Sequence, residues 1–278
     1  MNPKKLIAKK IAFYDSGIGG LTVLREFIAT NPNVAEIIYI ADTAYMPYGL
    51  KSAELIAERM EKVATFLQKQ GCEAIVLACH TASAVWLEKR PDMILPIVDA
   101  INPTAEHILL HYPNNNVIVF ATQLTIATRV YQKFLSSIHN GIFIASKALA
   151  QQIEMGKKAT LSELIRVIGN SQRKTVVALA CTHFLFAEQE IQKEIAKHYT
   201  STIANHNENQ TLNPIEIFDP AKAIAIQAKE QLIAEKSESK QNLLISVYST
   251  GNISDNFITK VYATLDSQQI SFYSPLPL

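Results

Sequence analysis

Two cysteines, Cys79 and Cys181, end two similar apolar segments of this chain. The segments read Ala-Ile-Val-Leu-Ala-Cys and Val-Val-Ala-Leu-Ala-Cys, and a threonine and a histidine follow each cysteine in opposite orders. Such an apolar run predicts a strand buried on both faces of a parallel sheet, with the thiol at its carboxyl end. Open α/β sheets bind their ligands at that end. Two facing thiols could remove a proton from one face of a carbon atom and deliver another to the opposite face.

A buried free cysteine is more often a packing residue than a reactive one. The matched surroundings of Cys79 and Cys181 favour chemistry, whereas Cys72 precedes its strand, has no counterpart and is interpreted as structural. Three cysteines in 278 residues make no disulfide framework, so reduced thiols are expected. The sequence predicts no metal site. The other histidines are predicted to be exposed, at His107, His111, His139, His198 and His206.

The composition fits one large or two small α/β domains with a proper core, since 48% of the residues are hydrophobic. A net charge of +1 provides no basic field for nucleic acid. Four lysines occur among the first ten residues, but neither a signal peptide nor a membrane-spanning run follows them. We therefore expect a cytoplasmic protein that acts on a small molecule, without a nucleic-acid or membrane partner.

Short apolar runs alternate with amphipathic segments, which predicts an α/β fold with parallel strands. Strands are predicted over 11–14, 36–40, 73–78, 94–98, 117–121, 141–145, 175–180, 215–218 and 243–248. Helices are predicted over 21–30, 52–70, 81–89, 126–135, 161–168, 221–235 and 257–265. A polar linker is predicted over 205–213 and a charged loop over 236–241.

A glycine-rich turn, Asp15-Ser-Gly-Ile-Gly-Gly20, follows the first predicted strand and precedes a helix. Backbone N–H groups at such a turn favour an anion, here a carboxylate. The turn lacks the Gly-Lys-Ser/Thr of a Walker loop, and Thr22 stands where a dinucleotide-binding turn has its third glycine. Read alone, it is equally a tight turn, and Pro47-Tyr48-Gly49 is equally a plain loop.

Taken together and in order, these motifs resemble the glutamate racemases of the cofactor-independent aspartate/glutamate racemase superfamily. The resemblance extends over nearly the whole chain and implies two pseudo-symmetric α/β domains with parallel sheets and an active site between them. It places residues 1–98 and 215–278 in the first domain and 99–214 in the second. It also implies conversion of L-glutamate to D-glutamate for peptidoglycan precursors, without a cofactor, and allows a homodimer.

The resemblance also assigns roles to residues. Cys79 and Cys181 become the two acid/base residues, with Asp15 assisting the first, and Glu154 and His183 assisting the second. The residues implied to contact substrate are Asp15, Ser16, Pro47, Tyr48, Gly49, His80, Thr81, Thr122, Thr125, Thr182 and His183.

The chain departs from the family pattern next to both cysteines. His80 replaces an asparagine, and Ala180 replaces a glycine. A histidine is bulkier and can carry charge, so His80 could donate a hydrogen bond, lower the pKa of Cys79 or exclude glutamate. This leaves open a racemase for aspartate or another small acidic compound, or a non-catalytic relative. A Cys/His hydrolase is disfavoured, because triad partners are usually distant in sequence.

Overall fold

The computed structural model describes residues 8–30, 32–168, 174–205, 215–232, 243–265, 269–276 and 278. The predicted linker over 205–213, apart from its first residue, lies outside the described residues, as do the predicted loop over 236–241 and His206.

The described strands are, in chain order, β1 (Lys10–Asp15), β2 (Glu36–Ala41), β3 (Ala74–Leu77), β4 (Ile97–Val98), β5 (Asn116–Thr122), β6 (Gly141–Ser146), β7 (Thr175–Ala180), β8 (Ile215–Phe218), β9 (Leu244–Ser249) and β10 (Gln269–Tyr273). The described helices are α1 (Leu21–Ala29), α2 (Ala53–Lys69), α3 (His80–Lys89), α4 (Ile101–His111), α5 (Gln123–Ala127), α6 (Val130–Phe134), α7 (Leu149–Glu154), α8 (Ser162–Ile168), α9 (Glu188–Asn205), α10 (Ala221–Leu232) and α11 (Asp255–Leu265).

The strands form two parallel sheets, which confirms the predicted fold class. The first sheet has the order β10-β9-β2-β1-β3-β4 and the second has the order β6-β5-β7-β8. The continuous apolar runs of β3 and β7 are buried along their whole length, as strands covered on both faces should be. Cys79 therefore leaves the first sheet and Cys181 the second.

Helix α2 shows why these segments cover the sheets. The Ser52 hydroxyl accepts a hydrogen bond from the Leu55 N–H and caps the helix at its start. Ile56, Met60 and Val63 recur at helical spacing and bury one face of α2 in the core of the first sheet.

Two expectations need correction, and one edge strand was not predicted. Residues 215–218 were expected to join the first domain, but β8 pairs with β7, and its Phe218 packs in the core of the second sheet. After β8, the chain returns to the first sheet with α10, which packs on α1. The helix predicted over 126–135 is two helices, because Arg129 adopts a left-handed conformation (φ 56°) between α5 and α6. The edge strand β10 was not predicted, since its exposed and half-buried residues give no apolar run.

Candidate active site

Both cysteines open into one cleft between the sheets. Each is 5% exposed, and both line the same narrow cleft. The lining residues are Ser16, Met46, Pro47, Tyr48, Gly49, Cys79, His80, Thr81, Thr122, Ala150, Cys181, Thr182 and His183. Eleven of these thirteen residues were predicted from the sequence, and Met46 and Ala150 are additions. The other predicted residues, Asp15, Thr125 and Glu154, hydrogen-bond to residues of the lining.

Asp15 connects the two halves of the cleft. It ends β1 and is fully buried, where its carboxylate accepts hydrogen bonds from the Gly17 N–H at 2.9 Å and from the Thr182 hydroxyl at 2.9 Å. Burial raises the pKa of Asp15, and the charge of His183 and these two donors act against that rise. The carboxylate thus fixes the loop that follows Cys181 to the end of the first sheet.

Cys181, His183 and Glu154 form the second half of the site. The Glu154 carboxylate lies 2.7 Å from Nε2 of His183, and His183 lines the cleft together with Cys181. Burial alone would lower the pKa of His183, but its bonds to Cys181 and Glu154 raise the pKa well above the ordinary value. Burial would raise the pKa of Glu154, yet its hydrogen bond to His183 holds the pKa below the ordinary value. The pair is therefore an ion pair beside the Cys181 sulfur.

Cys79 has weaker partners. It precedes the first residue of α3, and its thiol points to the Ser16 hydroxyl at an Sγ–Oγ distance of 3.9 Å. Burial raises the pKa of the Cys79 thiol to about 12, helped by the charge of Asp15, while the Ala82 N–H acts against the rise. Cys79 therefore keeps its proton at neutral pH.

The glycines of the turn after β1 allow this turn to lie close to residues of the second half of the site. A Cβ on Gly17 would lie 2.9 Å from a Glu154 oxygen, and one on Gly19 would lie 2.3 Å from the Thr182 hydroxyl oxygen. Gly49 likewise has room for no side chain, since its Cβ would lie 2.5 Å from that of Thr122. These glycines are needed for space between facing segments, whereas the sequence suggested an anion-binding turn.

Three threonine hydroxyls form a cluster along one wall. Thr81 contacts Thr122 at 2.9 Å and Thr125 at 3.1 Å, and the latter two are 2.8 Å apart. The cluster joins α3 of the first half to α5 of the second. Its hydroxyls can reorient, so they can donate to a ligand oxygen.

A buried network behind Tyr48 was missed by the sequence analysis. Arg59 of α2 donates to both oxygens of Asp42, at 2.9 and 3.1 Å, and the Asp42 carboxylate also accepts from Tyr48 and Thr250. Tyr14 completes the network through the Tyr48 hydroxyl. The network fixes Tyr48, which lines the cleft. One signal was present, because Arg59 falls on the apolar face of a helix predicted to be buried.

His80 is not a positive charge beside Cys79. Burial lowers its pKa to about 3, so the ring is neutral and cannot act on Cys79 as a positive charge. Its Nδ1 lies 2.7 Å from the Tyr131 hydroxyl, and the two rings stack with centroids 6.2 Å apart. Tyr131 was not predicted, because only the fold brings it to His80.

The other histidines that the structure describes do not line the cleft. His111 and His139 are exposed, whereas His107, which stacks on Phe218, and His198 are half-buried, so their predicted exposure is wrong. His107 and His111 are neighbours on α4, but the described residues contain no group of three or more metal-ligating side chains. Within the same part of the chain, no helix is long and apolar enough to span a bilayer.

Two parallel sheets each deliver a buried thiol to one shared cleft, an arrangement that could exchange a proton between opposite faces of one carbon atom. Residues 21–228 match the model of the Asp/Glu/Hydantoin racemase family, so the chain belongs to that family and is an amino-acid racemase, an isomerase. The resemblance stated from the motifs is thereby confirmed.

Individual relatives agree with this assignment. The chain is 35% identical over 204 residues to the glutamate racemase of Aliarcobacter butzleri, covering 69% of this chain and 77% of the relative. It is 31% identical over 202 residues to that of Oceanobacillus iheyensis, covering 69% and 73%. A crystal structure of the Campylobacter jejuni glutamate racemase superposes with a TM-score of 0.75 at 25% identity, covering 93% of this chain and 98% of that one.

Proposed function

We propose that this protein interconverts L- and D-glutamate without a cofactor, using Cys79 and Cys181 as the two acid/base residues. The observation that carries the proposal is the pair of buried thiols that lines one cleft from two sheets. The glutamate racemases of A. butzleri and O. iheyensis support the choice of substrate. D-glutamate made in this way would serve peptidoglycan precursor synthesis in the reducing cytoplasm, a setting that suits three free cysteines.

In the proposed reaction, one thiolate takes the proton from Cα and leaves the electron pair on that carbon, next to the carboxylate. The other thiol then gives its proton to the opposite face, so the configuration inverts and the two sulfurs exchange protonation states. Each cysteine is the base in one direction and the acid in the other. No atoms are gained or lost.

The residues around each sulfur support these acid and base roles. The pKa of Cys79 is about 12, so this thiol starts as the acid or must be activated by substrate. A substrate ammonium group beside it would favour the thiolate, as would the Ser16 and Ala82 donors. Across the cleft, Cys181 shares the lining with His183, whose Nε2 lies 2.7 Å from the Glu154 carboxylate.

The test is incubation of the purified protein with L-glutamate in D₂O, followed by proton NMR of the Cα–H signal and by optical rotation. Loss of both signals together is expected. Cys79→Ser and Cys181→Ser should each lower the rate by roughly 10²–10⁴-fold, because proton transfer by a positioned group contributes that much. Full activity in either variant contradicts the two-cysteine mechanism.

Cys72→Ser is the matched control. Cys72 is buried like the other two cysteines but does not line the cleft, so this variant should keep racemase activity. If folded wild-type protein changes neither signal, glutamate is not the substrate. A panel with aspartate and other acidic amino acids then shows whether His80 selects a shorter compound.

A further inference from the structure

His80 has an unsatisfied polar atom beside the cleft. It is the first residue of α3, directly after Cys79, and is 1% exposed. One ring nitrogen, Nδ1, contacts the Tyr131 hydroxyl, whereas the other, Nε2, is buried without a hydrogen-bond partner among the described residues. Buried polar atoms are nearly always paired, so a partner for Nε2 must come from a ligand or water.

The protonation of the His80 and Tyr131 rings decides whether Nε2 is a hydrogen-bond donor or an acceptor. The pKa of His80 is about 3, so the imidazole carries a single N–H at neutral pH. Burial raises the pKa of Tyr131 far above its ordinary value, so the phenol always keeps its proton. When the phenol donates that proton to Nδ1, the proton of the ring is on Nε2, and Nε2 is a donor.

The cleft needs such donors. No lysine or arginine occurs among the described residues that line it, and the carboxylates of Asp15 and Glu154 contact that lining. A dicarboxylic amino acid brings two carboxylates into this space. They must be held by neutral donors and by His183, and a hydrogen bond to a charged group is among the stronger ones in proteins.

We propose that Tyr131 is a positioning residue that sets the tautomer of His80, and that His80 Nε2–H donates a hydrogen bond to a carboxylate of the bound amino acid. This makes His80 a specificity determinant for acidic substrates, and it rests on the racemase function proposed above. Tyr131 acts only through His80 and does not contact the substrate.

The tautomer is measured first, in the free protein with ¹⁵N-labelled histidine. The His80 signals are assigned by their loss in His80→Phe. In the wild-type protein, the ¹⁵N shifts should show the proton on Nε2. In Tyr131→Phe they should show a mixture of the two tautomers. Addition of L-glutamate to the wild-type protein should change the shift of Nε2. A proton on Nδ1 in the wild-type protein would overturn the proposal.

The kinetic test removes both ring nitrogens and then restores a donor at the ε position. His80→Phe keeps a ring of similar volume and should raise KM for glutamate at least tenfold with kcat within threefold. The side-chain nitrogen of glutamine reaches the ε position, so His80→Gln should restore most of the loss. A KM for His80→Phe equal to that of the wild type, or no recovery in His80→Gln, would refute the role of Nε2.

Tyr131→Phe should raise KM several-fold in the wild-type background and leave it unchanged in the His80→Phe background. Tyr112→Phe is the matched control, since its hydroxyl bonds Glu216 far from the lining, and it should not alter KM. An effect of Tyr131→Phe that persists without His80 would show a general packing role. If the wild-type protein racemises no acidic amino acid, the proposed function fails, but the NMR titration still reports whether Nε2 binds a carboxylate.

Discussion

His183 stands between two partners of different character, the Cys181 thiol and the Glu154 carboxylate. The 2.7 Å contact with Glu154 is largely shielded from water, since the two side chains are 3% and 20% exposed. A charged pair in such surroundings holds its geometry, but it also makes the folded state sensitive to pH. The sensitivity has a definite sign for each partner.

The lowered pKa of Glu154 gives stability above its unfolded value of about 4.3, which is lost as the pH falls through the folded pKa. The raised pKa of His183 gives stability that is complete below its unfolded value of about 6.5, and this is lost as the pH rises through the folded pKa. The pair should therefore stabilise the protein most between about pH 4.5 and 6.5.

Glu154→Gln should lower the free energy of unfolding by about 3 kcal/mol in that window, because it leaves the buried imidazole without its counter-charge. The difference from wild type should shrink as the pH rises towards 9. Thermal unfolding across this pH range measures it. Glu163→Gln on α8 is the control and should give a small difference at all pH values. A constant deficit for Glu154→Gln would show that charge is not the cause.

At the scale of elements, the ends of two strands and one helix residue meet in the Asp42–Arg59 network. Asp42 follows β2, Thr250 follows β9, and Arg59 projects from α2, with the backbone oxygen of Leu278 also accepting from Arg59 at 3.1 Å. The buried arginine thus joins segments that are remote in the chain. It also supports Tyr48 through Asp42.

Arg59→Met keeps the length and apolar volume of the side chain but leaves the Asp42 carboxylate buried without a cation. We expect a loss of about 3–5 kcal/mol in the free energy of unfolding, measured by chemical denaturation. The double variant Arg59→Met/Asp42→Asn should lose less than the sum of the single variants, since neither charge then remains alone. Strict additivity would mean that the two residues do not interact. Lys89→Met, which breaks an exposed pair with Glu54, should leave the midpoint almost unchanged.

What the sequence could predict follows from how local each signal is. Cys79 and Cys181 were found because an apolar run and its polar end specify a strand and the position of its last residue. Arg59 and Tyr131 were missed because their partners come from other elements, and no spacing along the chain encodes such a contact. The same reason explains β8, whose apolar residues fit either sheet until its pairing with β7 is known.

At the scale of the whole molecule, the site exists only because two sheets hold their strand ends against each other. Two hydrogen bonds cross between them in opposite directions: Thr182 donates to Asp15 at 2.9 Å, and the Ile18 N–H donates to Glu154 at 3.5 Å. Each half thus provides a carboxylate that accepts from the other. The glycines of the turn after β1 make room for both contacts.

Gly19→Ala tests this dependence on close approach. A methyl group there would lie 2.3 Å from the Thr182 hydroxyl oxygen and 2.8 Å from the His183 backbone nitrogen, so the second half has to move away. Since a small misplacement of catalytic groups costs about a hundredfold in rate, kcat should fall by at least tenfold. Gly141→Ala is the control, because its new methyl group would lie 3.3 Å from the Phe143 ring and 3.6 Å from the Ile138 backbone oxygen, and it should stay near wild type in racemase assays. Equal activities for the two alanine variants would show that the halves tolerate a wider separation, and the turn would then matter only for local folding.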